Sequence, residues 1–286
     1  MASLRDIRTR IGSVKNTRQI TSAMKMVSAA KLKRATDAAT RARPYQQTLA
    51  ATLRRVAAAA GDITNPLLQE REHVATALVL VFTSDRGLCG GFNANLNRKT
   101  LEFVNKLRAE GKAVTVRTFG KKARDFFKSR YPAARVTIEL TPARFAGVAT
   151  TLADEAAREF LAGTFDEVWI AHNNFKNTLA QIPSFNRLLP VKLDRADASG
   201  AADFYVYEPS GPELLAALLP LSIRTQVLQS LLETEAGEHA SRMTAMDAAT
   251  RNASDLIKRL TLEYNRGRQA AITKELIEIV SGAEAL

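Results

Sequence analysis

A glycine-rich loop, Ser84–Asn93 (SDRGLCGGFN), holds the residue types in this sequence that come closest to chemistry. It follows the apolar run Ala75–Phe82 and contains three glycines, the only cysteine and an Asp-Arg pair. Glycine-rich turns that lead from a buried strand into a helix often hold a phosphate group. The chemistry that this loop suggests is therefore nucleotide binding.

The spacing within the loop does not match the phosphate-binding motifs. A Walker-type loop needs Lys and then Ser or Thr after its last glycine, whereas Phe92 and Asn93 follow here. The Gly-x-Gly-x-x-Gly spacing is also missing, and Arg117 and Thr118 stand where the second strand of a dinucleotide-binding fold would end in an acid. The pattern favours a tight turn over a nucleotide site.

The other reactive residue types are few and scattered. Cys89 has no base beside it in the sequence, and such a cysteine is more often inert than reactive. His172 ends a predicted strand, where active sites do occur, but no nucleophile motif accompanies it, so a structural or surface role is favoured. His239 falls on a helical seam, which favours packing. With three histidines and one cysteine, no metal-ligand spacing exists. We expect no catalytic residue, no cofactor and no metal.

Positive charge is concentrated in the first 60 residues. They carry 13 Lys and Arg against two acids, a balance of +11, while the other 226 residues carry 28 basic and 27 acidic groups, a balance of +1. This asymmetry indicates an acidic partner: nucleic acid, anionic lipid or an acidic protein surface. The segment lacks the interleaved aromatic residues of single-strand binders and any recognisable groove-reading module, which disfavours nucleic acid.

Targeting signals are not recognisable in the sequence. The N-terminus lacks the apolar core of a secretory signal, and its helical periodicity continues beyond the length of a mitochondrial presequence. No apolar stretch approaches the roughly 20 residues that cross a bilayer, so we expect no membrane span. A single cysteine fits a reducing compartment.

Three segments differ in periodicity: residues 1–60 are helical, residues 75–195 alternate strands with helices, and residues 210–286 are helical again. The alternation predicts a Rossmann-like α/β domain with a largely parallel sheet. Its predicted strands are Ala75–Thr83, Ala113–Phe119, Arg135–Leu140 and Glu167–Ala171, with Gln181–Leu193 completing the sheet. Its predicted helices are Asn95–Glu110, Lys121–Arg130 and Arg144–Leu161.

Both terminal segments carry the apolar stripe of a long helix. The N-terminal stripe slips once in phase, and Pro44 is expected to bend or break this helix. A helix of about 70 residues would be about 100 Å long, more than the α/β domain can cover, so we predict that the two helices pair as a long antiparallel coiled coil. The N-terminal stripe is Leu4, Ile7, Ile11, Val14, Ile20, Met24 and Val27. The C-terminal seam, with its 3–4 alternation, is Leu232, Ala236, His239, Met243, Met246, Thr250, Ala253, Ile257, Leu260, Tyr264, Gly267 and Ala271.

Four stretches resemble the gamma subunits of rotary proton-translocating ATP synthases. They are IRTRIGSVKNTRQITSAMKMVSAAKLKRA from Ile7, the loop SDRGLCGGFN, NTLAQIPSFNRLLPV from Asn177, and RMTAMDAATRNASDLIKRLTLEYNRGRQAAITKELIEIVSGAEAL from Arg242. They lie in the family's order and cover essentially the whole chain. Plant-plastid members of the family carry an inserted segment with two cysteines, which this sequence does not contain. In this respect and in its length, the sequence resembles the bacterial members.

The resemblance implies a central rotor that is not itself catalytic. In the family, the paired terminal helices enter a hexamer of alpha and beta subunits, and the α/β domain lies beside the epsilon subunit on the c-ring. Rotation of the c-ring couples proton flow to ATP synthesis, and nucleotides bind to alpha and beta. The resemblance therefore implies these partners, no nucleic acid, membrane contact only through the complex, and a peripheral location on the cytoplasmic face of the bacterial plasma membrane.

The resemblance also implies which residues contact the beta subunits. The basic first helix is expected to face the acidic lever loops of the beta subunits. Polar positions near the C-terminus are expected to face their catch loops. The glycine-rich loop is expected to lie close beneath the lever loops. The expected contact residues are Met24, Lys25, Met26, Lys31, Lys33, Arg34, Asp85, Arg86, Cys89, Arg242, Arg268, Gln269 and Thr273.

Overall fold

The computed structural model describes residues 3–59, 65–129, 131, 141–193, 207–208 and 210–284. Its elements are α1 (Leu4–Ala59), β1 (Thr76–Phe82), α2 (Phe92–Ala109), β2 (Ala113–Phe119), α3 (Lys121–Phe127), a short 3-10 turn (Pro142–Arg144), α4 (Phe145–Leu161), β3 (Glu167–Phe175), β4 (Gln181–Leu189) and α5 (Gly211–Glu284). The predicted fold class is confirmed, because two long terminal helices flank an α/β segment. The predicted strand Arg135–Leu140 lies outside the described residues.

Four strands form one mixed sheet in the order β2-β1-β3-β4. β1 pairs in parallel with β2 and with β3, while β3 and β4 pair antiparallel. The parallel pairs follow from the helices that connect their strands, whereas β3 and β4 are joined by a short turn, which permits only antiparallel pairing. The sheet is therefore Rossmann-like in its first three strands and has an antiparallel strand at one edge.

Alternate residues of β1 face two separate apolar cores, as the two-residue period of a strand requires. Ala77, Val79 and Val81 pack in one core with residues of α2 and α3. Leu78, Leu80 and Phe82 belong to the other core, to which α4, the end of α1 and the start of α5 contribute. The sheet thus lies between two helical layers.

The chain separates into two compact units. The larger unit is Ala30–Ser241, which includes the sheet. The smaller unit is Met1–Ala29 together with Arg242–Leu286. The first part of α1 and the last part of α5 belong to the smaller unit, and the remainder of each helix belongs to the larger unit. The predicted boundaries at 1–60, 75–195 and 210–286 stay predictions.

Within the smaller unit, α1 and α5 run antiparallel. Thr250 Oγ1 donates a hydrogen bond to Thr21 Oγ1 at 2.8 Å, and Lys25 Nζ lies 2.6 Å from Asp247 Oδ1. A Cβ at Gly267 would lie 3.1 Å from Leu4 Cδ2, which places the start of α1 against the end of α5 within this unit. Later residues of α1 thus meet earlier residues of α5, which confirms the antiparallel pairing in this unit.

The predicted seam of α5 is confirmed, since each of its twelve positions is buried or half-buried. The predicted phase slip in α1 is wrong. Ile20 and Val27 are 61% and 56% exposed, whereas Thr21 and Ser28 are buried. Pairing with α5 keeps the 3–4 spacing regular, so polar residues remain on the seam and the aliphatic ones turn outward.

The two prolines within the long helices do not interrupt them. Pro44 lies inside α1 and Pro220 inside α5. The helix α1 continues through Pro44, so the expectation of a break is wrong, and the alternative expectation of a bend stays a prediction.

Among the described residues, one helix meets the length and composition of a membrane span. It is α5, whose most apolar 18-residue window contains few charges and is 44% buried inside the fold. Core helices meet the same criterion, and length and composition are the only support for a span.

Candidate subunit-contact site

The glycine-rich loop is closed by its own side chains. Asn93 Oδ1 accepts a hydrogen bond from the backbone N–H of Ser84 at 3.0 Å, and Asn93 Nδ2 lies 3.1 Å from Cys89 Sγ. Ser84 Oγ donates to the carbonyl oxygen of Arg86 at 2.7 Å. These bonds join the two ends of the loop and fill its interior. The loop is a structural turn, as its spacing suggested.

The same loop is attached to two helices of the larger unit. Asp85 Oδ1 accepts a hydrogen bond from the backbone N–H of Lys121 at 2.8 Å, at the start of α3. Ser241 Oγ of α5 donates to the carbonyl oxygen of Cys89 at 2.7 Å. Cys89 is buried, and its neighbour Leu88 is exposed with a positive φ of 61°. The backbone of the loop therefore presents Leu88, and not the thiol, to solvent.

The expected contact residues on α1 are mostly at the surface. In the smaller unit, Met24 and Lys25 are half-buried and Met26 is exposed. In the larger unit, Lys31, Lys33 and Arg34 are exposed. Among the loop residues, Asp85 is half-buried and Arg86 is exposed.

The expected contact residues on α5 divide into one buried and three exposed residues. Arg242 is buried, whereas Arg268, Gln269 and Thr273 are exposed. The pairing of Lys25 with Asp247 places Met24, Lys25 and Met26 beside residue 247 of α5. Arg268 lies 21 residues further along α5, which corresponds to about 30 Å at a rise of 1.5 Å per residue. The structure does not bring them into one site.

Exposed aliphatic residues near these positions were missed from the sequence. On α1 they are Ile20 and Val27, which were assigned to the seam. On α5 they are Leu262, Ile272, Leu276, Ile277, Ile279 and Val280. A run of apolar residues in Ile272–Val280 beyond the predicted seam was the available signal. The solvent-facing surfaces of the smaller unit therefore include several large aliphatic side chains.

One ion pair of the smaller unit involves an expected contact residue. The hydrogen bond from Lys25, together with the charges of Arg251 and Lys25, outweighs the opposing effect of desolvation and holds the pKa of Asp247 below its ordinary value. Lys25 is thus already paired within the chain, and its aliphatic stem is what remains open to a partner.

Two of the three histidines, His172 and His239, are buried, whereas His73 is exposed. His172 is buried on β3, with Nε2 3.3 Å from Glu233 Oε2 on α5. His239 is buried, as its seam position predicted. Within the described ranges, no group of three or more His, Cys, Asp or Glu side chains could hold a metal ion. A polar cavity of about 260 Å³ lies in the larger unit beside His172 and Glu233.

The fold and the closed loop together define the class of protein: two long terminal helices flanking an α/β segment whose glycine-rich loop is a structural turn. The chain belongs to the ATP synthase family, whose model matches residues 3–286.

Relatives and solved structures agree with this assignment. The chain is 50% identical over 290 aligned positions to the ATP synthase gamma chain of Anaeromyxobacter sp. (strain Fw109-5), covering 100% of both. It is 46% identical over 289 positions to that of Fuscovulum blasticum, again covering 100% of both. A chain of the Euglena gracilis mitochondrial ATP synthase shares the fold, with a TM-score of 0.67 at 22% identity over 99% of this chain and 94% of that one. A chain of the Tetrahymena thermophila central stalk and c-ring structure has a TM-score of 0.58 at 24% identity, covering 80% and 99%.

Proposed function

We propose that this chain is the central rotor of a bacterial ATP synthase and couples rotation of a c-ring to the catalytic cycle of the beta subunits. The observation that carries the proposal is the identity of 46–50% over the full length of relatives called ATP synthase gamma chain. The two long terminal helices support it, since a rotor needs an extended element that partner subunits can surround.

The proposed role is mechanical and not catalytic. In the loop that most resembled a nucleotide site, Ser84, Asn93 and Cys89 are hydrogen-bonded to one another or to the loop backbone, which supports a structural turn over a phosphate-binding loop. In this proposal nucleotides bind to alpha and beta subunits, and this chain changes the conformation of the beta sites by turning.

The basic residues of α1 form the proposed contact with acidic lever loops of the beta subunits. Lys31, Lys33 and Arg34 are exposed, and the first 60 residues carry nearly all of the net positive charge. Ile20 and Val27 add exposed aliphatic area in the same helix. Long-range attraction between opposite charges combined with apolar contact suits a surface that meets successive partners.

The proposed catch-loop contact lies near the end of α5. Arg268, Gln269 and Thr273 offer exposed hydrogen-bonding groups, and Ile272, Leu276 and Ile279 offer exposed apolar area. We assign Arg242 to the same partners. Because Arg242 is buried, we propose that it acts indirectly, by holding the exposed residues around it in position. We also assign Asp85, Arg86 and Cys89 to contact with the beta subunits, as members of the glycine-rich loop Ser84–Asn93.

The remaining partners and the location follow from the same assignment. The proposed partners at the α/β domain are the epsilon subunit and the c-ring, and two similar solved structures include a c-ring. The chain would be peripheral, on the cytoplasmic face of the plasma membrane, and would contact the membrane only through the complex.

Reconstitution tests the proposed function. The full chain is mixed with alpha and beta subunits, and ATP hydrolysis and rotation are measured. We expect hydrolysis to rise and rotation to appear. No gain in hydrolysis over alpha and beta alone would overturn the proposal, as would saturable, magnesium-dependent ATP binding by the isolated chain or duplex DNA binding that survives physiological salt.

A variant with Lys31→Glu, Lys33→Glu and Arg34→Glu tests the lever contact in the same assay. We expect lower torque, because repulsion replaces attraction at the acidic loops. The matched control reverses three exposed charges on α2, Arg98→Glu, Lys99→Glu and Lys106→Glu. Equal torque in the first variant and the wild type would refute this contact.

A further inference from the structure

The apolar face of α5 in the larger unit is nearly uniform along its axis. Leu215, Leu219, Ile223, Val227 and Leu231 recur every four residues and are all fully buried in the core below the sheet. A shift of α5 along its own axis by four residues corresponds to about 6 Å, because the helix rises 1.5 Å per residue. After such a shift, four of these five positions would still receive a Leu, Ile or Val side chain. Apolar burial therefore resists separation of α5 from the sheet but discriminates poorly between these registers.

A buried carboxylate next to this face does discriminate between registers. Glu233 is 7% exposed. His172 Nε2 lies 3.3 Å from its Oε2, and Gln229 Nε2 donates to its Oε1 at 2.8 Å. Arg43 Nη2 of α1 lies 3.9 Å from the same Oε1. One carboxylate thus joins β3, α1 and α5. Gln229 lies on α5 and would move with Glu233, but a shift of α5 would leave the carboxylate buried without His172 and Arg43, which is costly.

A glycine one turn further along α5 adds a steric restriction. A Cβ at Gly237 would lie 2.8 Å from Phe92 Cε2 and 3.3 Å from Gln181 Cγ. A four-residue shift in one direction would bring Glu233 to this place, and a shift in the other direction would bring Ser241. Either side chain carries a Cβ that the space against Phe92 cannot accept.

We propose that Glu233 is the positioning residue that fixes the axial register of α5 on the sheet of the larger unit, with Gly237 as its steric counterpart. A buried polar residue within an apolar helix interface sets register in other helical assemblies for the same reason. The consequence for rotation rests on the proposed function: torque applied to the α/β domain reaches α5 without sliding.

The experiment measures register directly in the full chain. Spin labels are placed at Leu161→Cys on α4 and Leu221→Cys on α5, both exposed positions in the larger unit, with Cys89→Ser to remove the native thiol. Pulsed electron resonance then gives the distance distribution between the labels. For the parent we expect one narrow distribution. For Glu233→Leu we expect a second population displaced by up to about 6 Å, from the rise of four residues.

Further variants separate register from general damage. Glu233→Gln keeps a hydrogen-bonding side chain of the same shape and should retain the parent distribution. Glu263→Leu makes the same chemical change at an exposed position of α5 and should also retain it. If Glu233→Leu does not fold, His172→Leu removes the partner from the sheet side, and the same second population is expected.

An unchanged single distribution in Glu233→Leu, or in His172→Leu where that variant replaces it, would overturn the assignment. So would a second population in Glu263→Leu. Coupling is measured separately, as ATP-driven proton pumping per ATP hydrolysed in the reconstituted complex. It should fall in Glu233→Leu and in His172→Leu, and it should stay at the parent value in Glu233→Gln and Glu263→Leu. Because the label distances need no partner subunit, failure of the register proposal and failure of the proposed function give different results.

Discussion

Two stretches of α5 contain the same aliphatic residue types and have opposite exposures. In the larger unit, the leucines at 215, 219 and 231 are fully buried against the core. In the smaller unit, Leu276 is 57% and Ile279 is 67% exposed. The first stretch is covered by the sheet and α4, which this chain supplies. The second stretch is not covered by the described residues of this chain.

This difference shows that apolar residue types in one helix can serve two purposes. Where the chain supplies the covering surface, each side chain contributes to the free energy of unfolding. Where it does not, a contiguous set of exposed aliphatic side chains is typical of a surface that meets another protein. The comparison therefore separates residues that stabilise the chain from residues that we propose stabilise the complex.

The largest expected effect is on stability in the packed stretch. Leu219→Ala should lower the free energy of unfolding by about 2–5 kcal/mol, because a fully buried leucine leaves a cavity. Leu276→Ala, the matched change at an exposed site, should alter it by no more than about 0.5 kcal/mol. Urea unfolding followed by circular dichroism measures both. Equal losses in the two variants would show that the exposed stretch is covered within the chain itself.

The next effect is on assembly and concerns the exposed stretch. The triple variant Ile272→Ser, Leu276→Ser and Ile279→Ser should unfold at the same urea concentration as the wild type. It should bind the alpha–beta hexamer about tenfold more weakly or worse, as the loss of about 1.4 kcal/mol of apolar contact implies. Fluorescence titration against the purified hexamer measures the affinity.

Glu275→Ser with Glu278→Ser is the control for this triple variant, because both residues are exposed in the same stretch. It should bind like the wild type. If the control weakens binding as much as the triple variant does, charge and not apolar area governs the contact.

The smallest expected effect is a pH dependence in the packed stretch. Burial by itself would raise the pKa of Glu233, but hydrogen bonds from His172 and Gln229 and the charge of Arg43 outweigh it and hold the pKa below the ordinary 4.5. A carboxyl with a lowered pKa in the folded state contributes stability that is present above pH 4.5 and is lost as the pH falls through the folded-state pKa. Wild-type stability should therefore fall more steeply on acidification than that of Glu233→Gln.

Urea midpoints between about pH 7 and pH 3 measure this difference. Glu263→Gln is the matched exposed control and should follow the wild-type curve. A Glu233→Gln curve parallel to the wild type over this range would show that the buried carboxylate keeps the same pKa when the chain unfolds.

The sequence predicted the elements of the fold closely, with particular exceptions. The seam of α5 was read correctly from Leu232 to Ala271 because its 3–4 spacing is unbroken. The seam of α1 was misread at Ile20 and Val27, because hydrophobicity was taken as the sign of burial. Pairing geometry instead buries Thr21 and Ser28, and the hydroxyl of Thr21 is hydrogen-bonded both to the carbonyl oxygen of Arg18 and to Thr250 across the helix pair.

The contact residues were harder to predict than the fold. The charge asymmetry indicated an acidic partner for the first 60 residues, and the family resemblance assigned Lys31, Lys33 and Arg34, which are exposed, to that contact. The burial of Arg242 and Cys89 could not be foreseen, since it depends on which side chains pack around them. The exposed aliphatic residues at the end of α5 were overlooked because periodicity identifies a stripe without indicating whether it is covered.

The glycine-rich loop shows most clearly which features were determined by the sequence and which were decided by the tertiary structure. The sequence by itself excluded the phosphate-binding motifs, because their lysine, hydroxyl and glycine spacing are local requirements. It also determined the helical periodicity, the charge asymmetry and the alternation of strands and helices. Only the tertiary structure decided that Asn93 and Ser241 hold the loop closed and that Glu233 meets His172. These contacts join residues far apart in the chain, and their partners are set by how the elements pack, which local residue preferences do not specify.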